Sequence, residues 1–159
     1  MTTILWITDR LLAELSEEAR KAPRLRKNRN FHAMEDPVHR LLNALEPGTY
    51  IRPHRHLKAS KAETAIVVSG AVAVLIFDDA GTLLEKRRLS PAGPDRGVEM
   101  TPGVWHTFVA LEPGTVFFET KAGPYEPLRA EELAPWAPAE GALEAANLER
   151  SWRALSGDR

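Results

Sequence analysis

Short apolar runs separated by turn signals fill the chain from about residue 38 to residue 122. Turns are indicated by EPGT (46–49), DAGT (79–82), SPAGPDRG (90–97) and a second EPGT (112–115). The segments between them, such as VHRLLNAL, AVAVLIFD, LLEKRRL and VFFETKAG, have the length and the β-branched or aromatic content of strands. Strands at this regular spacing predict an all-β sandwich or barrel.

Helical periodicity appears only at the two ends of the chain. Thr8 is a plausible N-cap, Pro23 ends the pattern, and apolar side chains recur at helical spacing between them, at Leu11, Leu12, Leu15 and Ala19. Residues 141–155 place another apolar stripe on one helix face, formed by Ala145, Leu148, Trp152 and Leu155. We therefore expect an N-terminal helix and a C-terminal helical extension around the β-rich region.

Composition and charge narrow the class of protein. The chain has 159 residues, which suits one domain, and its formal net charge of −1 argues against a nucleic-acid platform. The basic run at 20–29 is interpreted as solvated surface. The absence of cysteine excludes disulfides and thiolate metal sites, and it agrees with a cytoplasmic location. The most apolar stretch, residues 64–77, is too short for a membrane-spanning helix, and Gly70 suggests two strands joined by a turn.

Histidines two residues apart provide the first candidate chemistry. In the predicted strand TYIRPHRH, alternation of side chains places Tyr50, Arg52, His54 and His56 on one side. His54 and His56 would then converge on one point, as metal ligands must, and Glu63 would add a compatible carboxylate. Isolated histidines are more often surface or hydrogen-bonded core residues, so this pair alone leaves both interpretations open.

A second segment brings the sequence to a family resemblance. TPGVWHTF (101–108) places His106 at the start of a strand after a Pro-Gly turn. The spacing of Gly48, His54, His56, Glu63 and Gly70 resembles the first motif of the cupin superfamily, and the segment from Gly97 to His106 resembles the second. The resemblance implies a metal bound by His54, His56, Glu63 and His106. The sequence departs from the family pattern in a longer loop between His56 and Glu63, in Pro102 directly before Gly103, and in Ala110 where asparagine is common.

The resemblance is more specific to the WbuC-type cupin-fold metalloproteins, through NRNFH (28–32) and residues 36–56 and 98–127. It implies a single cupin barrel, that is, a double-stranded β-helix or jelly roll. The expected division is an N-terminal helix and arm at 1–27, the barrel at 28–127 and an extension at 128–159. Proteins of this type are associated with bacterial surface-polysaccharide (O-antigen) gene clusters, which suggests a sugar or nucleotide-sugar as substrate.

The expected cofactor is one divalent transition metal ion, and Fe, Mn, Ni, Cu and Zn all suit such ligands. Open coordination positions would make it a Lewis acid for a substrate, whereas four ligands around zinc would give a closed, structural site. The remaining candidate pocket residues are Arg52 for an anionic group, Tyr50 as a hydrogen-bond donor, and Asn30 or His32 on a leading arm. Alternatively, Arg52 would form an ion pair at the rim of the barrel, and Tyr50 would only fill the barrel interior. On VFFETK we expect Phe118 to face the barrel and Glu119 and Lys121 to lie outside; in the opposite orientation they would enter the pocket, with Glu119 as a candidate base.

Two classes of function follow from this pattern. One is a metal-dependent enzyme, an isomerase or epimerase, a lyase or a dioxygenase, that acts on a small polar molecule. The alternative is a non-catalytic module that binds or senses a carbohydrate with the help of the metal. A small-molecule ligand is expected in both, with neither nucleic acid nor membrane as a partner. We also expect a homodimer formed through the terminal extensions, which contain Trp6, Trp136 and Trp152.

Overall fold

The computed structural model describes residues 4–157, which form two α-helices and eight β-strands. The helices are α1 (Asp9–Lys21) and α2 (Leu143–Gly157), and a short 3-10 turn spans Ala130–Glu132. The strands are β1 (Arg26–Asn30), β2 (Val38–Leu45), β3 (Glu63–Ser69), β4 (Val72–Phe77), β5 (Leu83–Leu89), β6 (Gly97–Met100), β7 (Trp105–Ala110) and β8 (Thr115–Ala122).

The strands form two antiparallel sheets that enclose the main core. One sheet has the order β1-β2-β8-β3-β6 and the other has the order β5-β4-β7. Apolar side chains from both sheets meet between them, and they include Leu45, Val67, Val72, Val74, Phe108 and Phe117. Alternation along each strand supplies this interior, as expected for a closed antiparallel β fold. The predicted cupin jelly roll with flanking helices is confirmed.

The turn at Gly70 takes the chain from the larger sheet to the smaller one. Gly70 has a φ of +68°, and a Cβ atom there would lie 2.5 Å from Oγ1 of Thr115. Only glycine meets both requirements without strain. The turn predicted from Gly70 is therefore present, and it joins strands that belong to different sheets.

Helix α1 begins and ends where its sequence predicts. The hydroxyl of Thr8 accepts a hydrogen bond from the backbone N–H of Leu11, and the helix stops two residues before Pro23. Its buried side chains, Leu15 and Ala19, pack on the outer face of the larger sheet against Leu42 and Val116.

Helix α2 covers the outer face of the smaller sheet together with the segment before it. Trp152 is 8% exposed and stacks on Tyr50 with ring centroids 5.9 Å apart. Ala145 is buried as predicted, but Leu155 is 48% exposed, so the predicted apolar stripe was wrong at its last position. Glu149 is buried instead, because its carboxylate accepts hydrogen bonds from Gly48 N–H and from Arg153.

Two segments differ from the strands predicted by pattern. The run Arg26–Asn30 forms the edge strand β1, which pairs with β2, and its polar side chains stay mostly exposed. The predicted strand at residues 49–56 does not form a regular ladder. Only His54 makes β-bridges there, with His106 and Leu133, since Pro53 has no N–H to donate.

Neither helix in the described part of the chain combines the length and apolar character that crossing a membrane requires. The domain limits at 28 and 127, the homodimer and the cytoplasmic location stay predictions.

Candidate metal site

Three of the predicted metal ligands meet at one end of the barrel interior. His54, Glu63 and His106 each offer one ligand atom, and these atoms all lie within 4.8 Å of one another. Glu63 and His106 are each only 2% exposed, whereas His54 is partly buried. Two imidazoles and a carboxylate are a donor set that suits divalent transition metals.

Strand pairing brings residues from distant parts of the chain to this point. His54 and His106 exchange two backbone hydrogen bonds, each 3.0 Å long between N and O. Glu63 is the first residue of β3, in the opposite sheet, and points into the interior. The long loop between His56 and Glu63 therefore does not prevent the carboxylate from facing the two histidines.

Backbone carbonyls fix the orientation of both histidine rings. Nδ1 of His54 lies 3.1 Å from the carbonyl oxygen of Arg52, and Nδ1 of His106 lies 2.9 Å from that of Val104. A carbonyl can only accept, so Nδ1 carries the proton in each ring and Nε2 keeps its lone pair. Nε2 of His106 is buried and has no hydrogen-bond partner among residues 4–157. This is the ring arrangement that metal-ligating histidines adopt, so the residues fit a bound ion.

His56 reaches the cluster through Glu63. Its Nε2 lies 3.1 Å from Oε2 of Glu63, the oxygen that also lies 3.6 Å from Nε2 of His106. Because an ionised carboxylate only accepts hydrogen bonds, His56 donates to Glu63 in this arrangement. The structure thus brings three of the four predicted ligands into one cluster and places the fourth beside it.

The protonation states of the cluster favour cation binding. Burial would raise the pKa of Glu63, but His106, His56 and Lys121 around it hold that pKa well below its ordinary value. Burial, together with the nearby His106, lowers the pKa of His54 to about 3. Glu63 is therefore ionised and His54 is neutral near pH 7, which are the forms that bind metal.

Glu119 and Lys121 lie inside the barrel, so the expectation that they face outward was wrong. Nζ of Lys121 is 2.6 Å from Oε1 of Glu119 and 3.5 Å from Oε1 of Glu63. The amide of Asn43 donates to Oε2 of Glu119 at 2.9 Å. Burial and the charge of Glu63 raise the pKa of Glu119 to about 8. Burial disfavours the charge of Lys121, but Glu119 and Glu63 outweigh it and raise the pKa of Lys121 above its ordinary value.

The strand β8 has an apolar residue on both faces, and this explains the error. Phe117 points inward and stacks on Phe108 of the opposite sheet with ring centroids 4.7 Å apart. Phe118 points outward and packs under α1. Because each face of β8 carries a phenylalanine, hydrophobic alternation did not show which face is turned to the interior. The neighbouring histidine and carboxylate positions were the signal that could have shown it.

An open pocket of about 420 Å³ lies above the cluster. The segment after β8 crosses its rim and is held by contacts that include hydrogen bonds from Tyr125 N–H to the carbonyl of Met34 and from Nζ of Lys61 to that of Pro124. The pocket is lined by His39, His54, His56, Lys58, Lys61, Lys121, Tyr125, Glu126, Pro127, Leu128, Arg129 and Glu132. Sequence patterns had not singled out Lys61 or Glu132, since lone charged residues in loops have no periodic signal.

The four predicted substrate-binding residues do not line this pocket. Arg52 donates from Nε and Nη2 to the carbonyl of Ala134, and Tyr50 donates to that of Pro138, so both hold the C-terminal segment. Asn30 is exposed. The ring of His32 accepts from the backbone N–H of Arg40 and stacks on His39 at 4.0 Å, and of these two rings only His39 reaches the pocket.

Solved structures with the same fold agree with the jelly-roll architecture. KdgF from Halomonas sp. is 23% identical, with a TM-score of 0.51 over 67% of this chain and 85% of its own. Oxalate decarboxylase is 21% identical, with a TM-score of 0.51 over 83% of this chain and 35% of its own. Procruciferin, an 11S globulin from Brassica napus, is 14% identical, with a TM-score of 0.51 over 65% of this chain and 26% of its own. At these identities the likeness concerns the fold alone, and the fold does not choose a function.

No curated protein matches the chain. One family model matches residues 7–89, more than half of the chain, and it is described as a domain of unknown function. The match runs from the start of α1 to the end of β5 and includes His54, His56 and Glu63, and it ends before His106. This protein is a cupin-fold member of the family DUF6016.

Proposed function

We propose that this protein is a metal-dependent enzyme that acts on a small polar molecule. The observation that supports this most is the cluster of His54, Glu63 and His106 beneath an open pocket. In the proposal these three residues hold one divalent transition metal ion, Fe, Mn, Ni, Cu or Zn, and His56 joins them as the fourth ligand. The bound ion would supply Lewis-acid chemistry.

Lys121 is the proposed catalytic residue of the chain itself. It lines the pocket, and its ammonium group contacts Glu63. A fixed positive charge at that place would stabilise negative charge that develops on a substrate oxygen. Glu119, held by Asn43, is a positioning residue for the ammonium group. This arrangement favours isomerisation, epimerisation or elimination over dioxygenation, because those reactions can develop negative charge on a substrate oxygen, which the ammonium group would stabilise.

The proposed substrate is a sugar or nucleotide-sugar derivative of bacterial surface polysaccharide. The support for this class is the sequence resemblance to WbuC-type proteins together with a pocket whose lining residues are mostly of polar or charged type. A carbohydrate-binding module without catalysis is the competing hypothesis. The buried Glu119 and the partly buried Lys121 argue against it, since burying ionisable side chains is costly and such pairs are concentrated at active sites.

Turnover in deuterated water tests the proposal. Protein loaded with each metal is incubated with sugars, sugar acids and nucleotide-sugars, and proton NMR follows the loss of C–H signals and the appearance of products. We expect turnover that a chelator abolishes and added metal restores. Lys121→Met should lower the rate by at least about 100-fold.

The matched control is Lys27→Met on the remote edge strand β1, which should keep the wild-type rate. Metal content is measured for every variant, so that loss of the ion is not mistaken for loss of the ammonium group. Saturable sugar binding by the metal-loaded protein, without turnover of any compound, would contradict the enzyme proposal and support the binding module.

A further inference from the structure

Four cationic side chains line the pocket, and three of them have a carboxylate partner. Lys58 pairs with Glu126 at 2.9 Å, and Lys121 pairs with Glu119 at 2.6 Å. Arg129 lies 3.3 Å from Glu131. The fourth cation, Lys61, has no carboxylate within ion-pair distance among the described residues.

Lys61 is also the least exposed of the lysines at the pocket. It is 8% exposed, and its one hydrogen bond goes to the carbonyl of Pro124, at 2.9 Å. An ammonium group has three N–H donors, so two remain for another partner. A lysine this buried is seldom found without a partner for its charge.

The loop that carries Lys61 is the segment in which this sequence departs from the cupin motif. Residues 57–62 separate His56 from Glu63, and the N–H of Leu57 donates a hydrogen bond to the carboxylate of Glu132, which lines the pocket together with Lys58 and Lys61. A turn closed by Lys61 N–H and the carbonyl of Lys58 then directs the Lys61 side chain towards Pro124. The additional residues of this loop thus place a cation in the pocket that His54 and His56 also line.

We propose that Lys61 is the centre of an oxyanion-binding subsite, so that the substrate carries a carboxylate or phosphate group. This inference rests on the proposed function, because it assigns the oxyanion to the substrate of the same pocket. The role resembles the one that the sequence suggested for Arg52, whose guanidinium is instead engaged with Ala134. A sugar acid and a sugar phosphate share the required chemistry.

Ligand titration followed by amide NMR shifts tests the subsite without any need for turnover. The probes are D-glucuronate, glucose 6-phosphate and D-glucose, which differ in the group at the sixth carbon. Wild-type protein should bind one or both of the anions more tightly than it binds glucose, by about tenfold or more. The anion that is preferred identifies the oxyanion as carboxylate or phosphate.

Lys61→Met should abolish this preference, whereas Lys61→Arg should retain most of it because the charge remains. The matched control is Lys27→Met on the edge strand β1, which removes an exposed lysine that pairs with Glu18 outside the pocket and should leave affinity within about twofold. Equal binding of anions by wild type and Lys61→Met would overturn the proposal, as would a wild-type protein that does not prefer either anion.

Failure of the subsite and failure of the enzyme proposal give different results. Selective, Lys61-dependent anion binding without turnover would support the subsite and contradict the enzyme. Turnover of a neutral sugar that Lys61→Met does not change would support the enzyme and overturn the subsite.

Discussion

The two halves of the barrel interior are built from the same strands but differ in chemistry. Along β8 the inward residue changes from Phe117 to Glu119 and then Lys121, and along β7 it changes from Phe108 to His106. We call the end around Phe108 and Phe117 the apolar half, and the end around the ligand cluster, Glu119 and Lys121 the polar half. The backbone pairing of β8 with β2 and β3 continues from the apolar half into the polar half, since Lys121 pairs with His39 of β2 and with Glu63 of β3.

This difference separates the residues that hold the fold from those suited to chemistry. In the apolar half, rings from the two sheets stack directly and remove apolar area from water. In the polar half, buried ionisable groups are tolerated because they pair with one another. Nε2 of His106, by contrast, has no hydrogen-bond partner among the described residues. Stability should therefore depend mainly on one half and ligand binding on the other.

Phe117→Ala should have the largest effect on stability. It removes a fully inward ring that contacts Phe108, so we expect a loss of about 3–5 kcal/mol in the free energy of unfolding. Phe118→Ala is the matched control, because the neighbouring ring is only partly buried and should cost less. Denaturant titration of metal-free protein measures both. Equal losses in the two variants would show that the interior stacking is not the main source of stability.

Glu119→Gln should change how stability depends on pH. The pKa of Glu119 is about 8 in the folded protein and near its ordinary value of 4.5 when unfolded, so its contribution to stability is lost as pH rises from about 4.5 to 8. The low pKa of His54 acts in the opposite direction, but only below about 6.5.

Between pH 6.5 and 8, metal-free wild-type protein should therefore lose up to about 2 kcal/mol relative to Glu119→Gln. Comparing the two proteins cancels the groups that they share. Denaturant titrations at several pH values give the difference, and parallel pH curves would contradict the burial of Glu119 in the polar half.

The sequence predicts the apolar half better than the polar half. The run of short strands and turn residues indicated an all-β sandwich or barrel. The resemblance to the cupin motifs then implied the jelly roll and the cluster of His54, Glu63 and His106. Arg52 and Tyr50 were placed by alternation in a strand that does not form, because Pro53 interrupts the ladder. Position in a strand is reliable only where backbone pairing is regular.

Residues whose role depends on tertiary contacts had no local signal. Lys61 is one lysine in a polar loop, and its burial arises from contacts with a segment more than sixty residues away. Lys121 and Glu119 became recognisable only once β8 was paired between β2 and β3. These residues distinguish the pocket from a generic metal site, and the structure was needed to find them.

Metal content tests the central claim most directly. Untagged wild type, His106→Ala and His32→Ala are purified in parallel, equilibrated with the same divalent ion and analysed for bound metal per chain. His32 is the matched histidine, since it lies outside the cluster and bonds to the backbone of Arg40. We predict about one ion per chain in wild type and His32→Ala and little in His106→Ala. Equal metal in all three proteins would contradict the assignment of the polar half as a metal site.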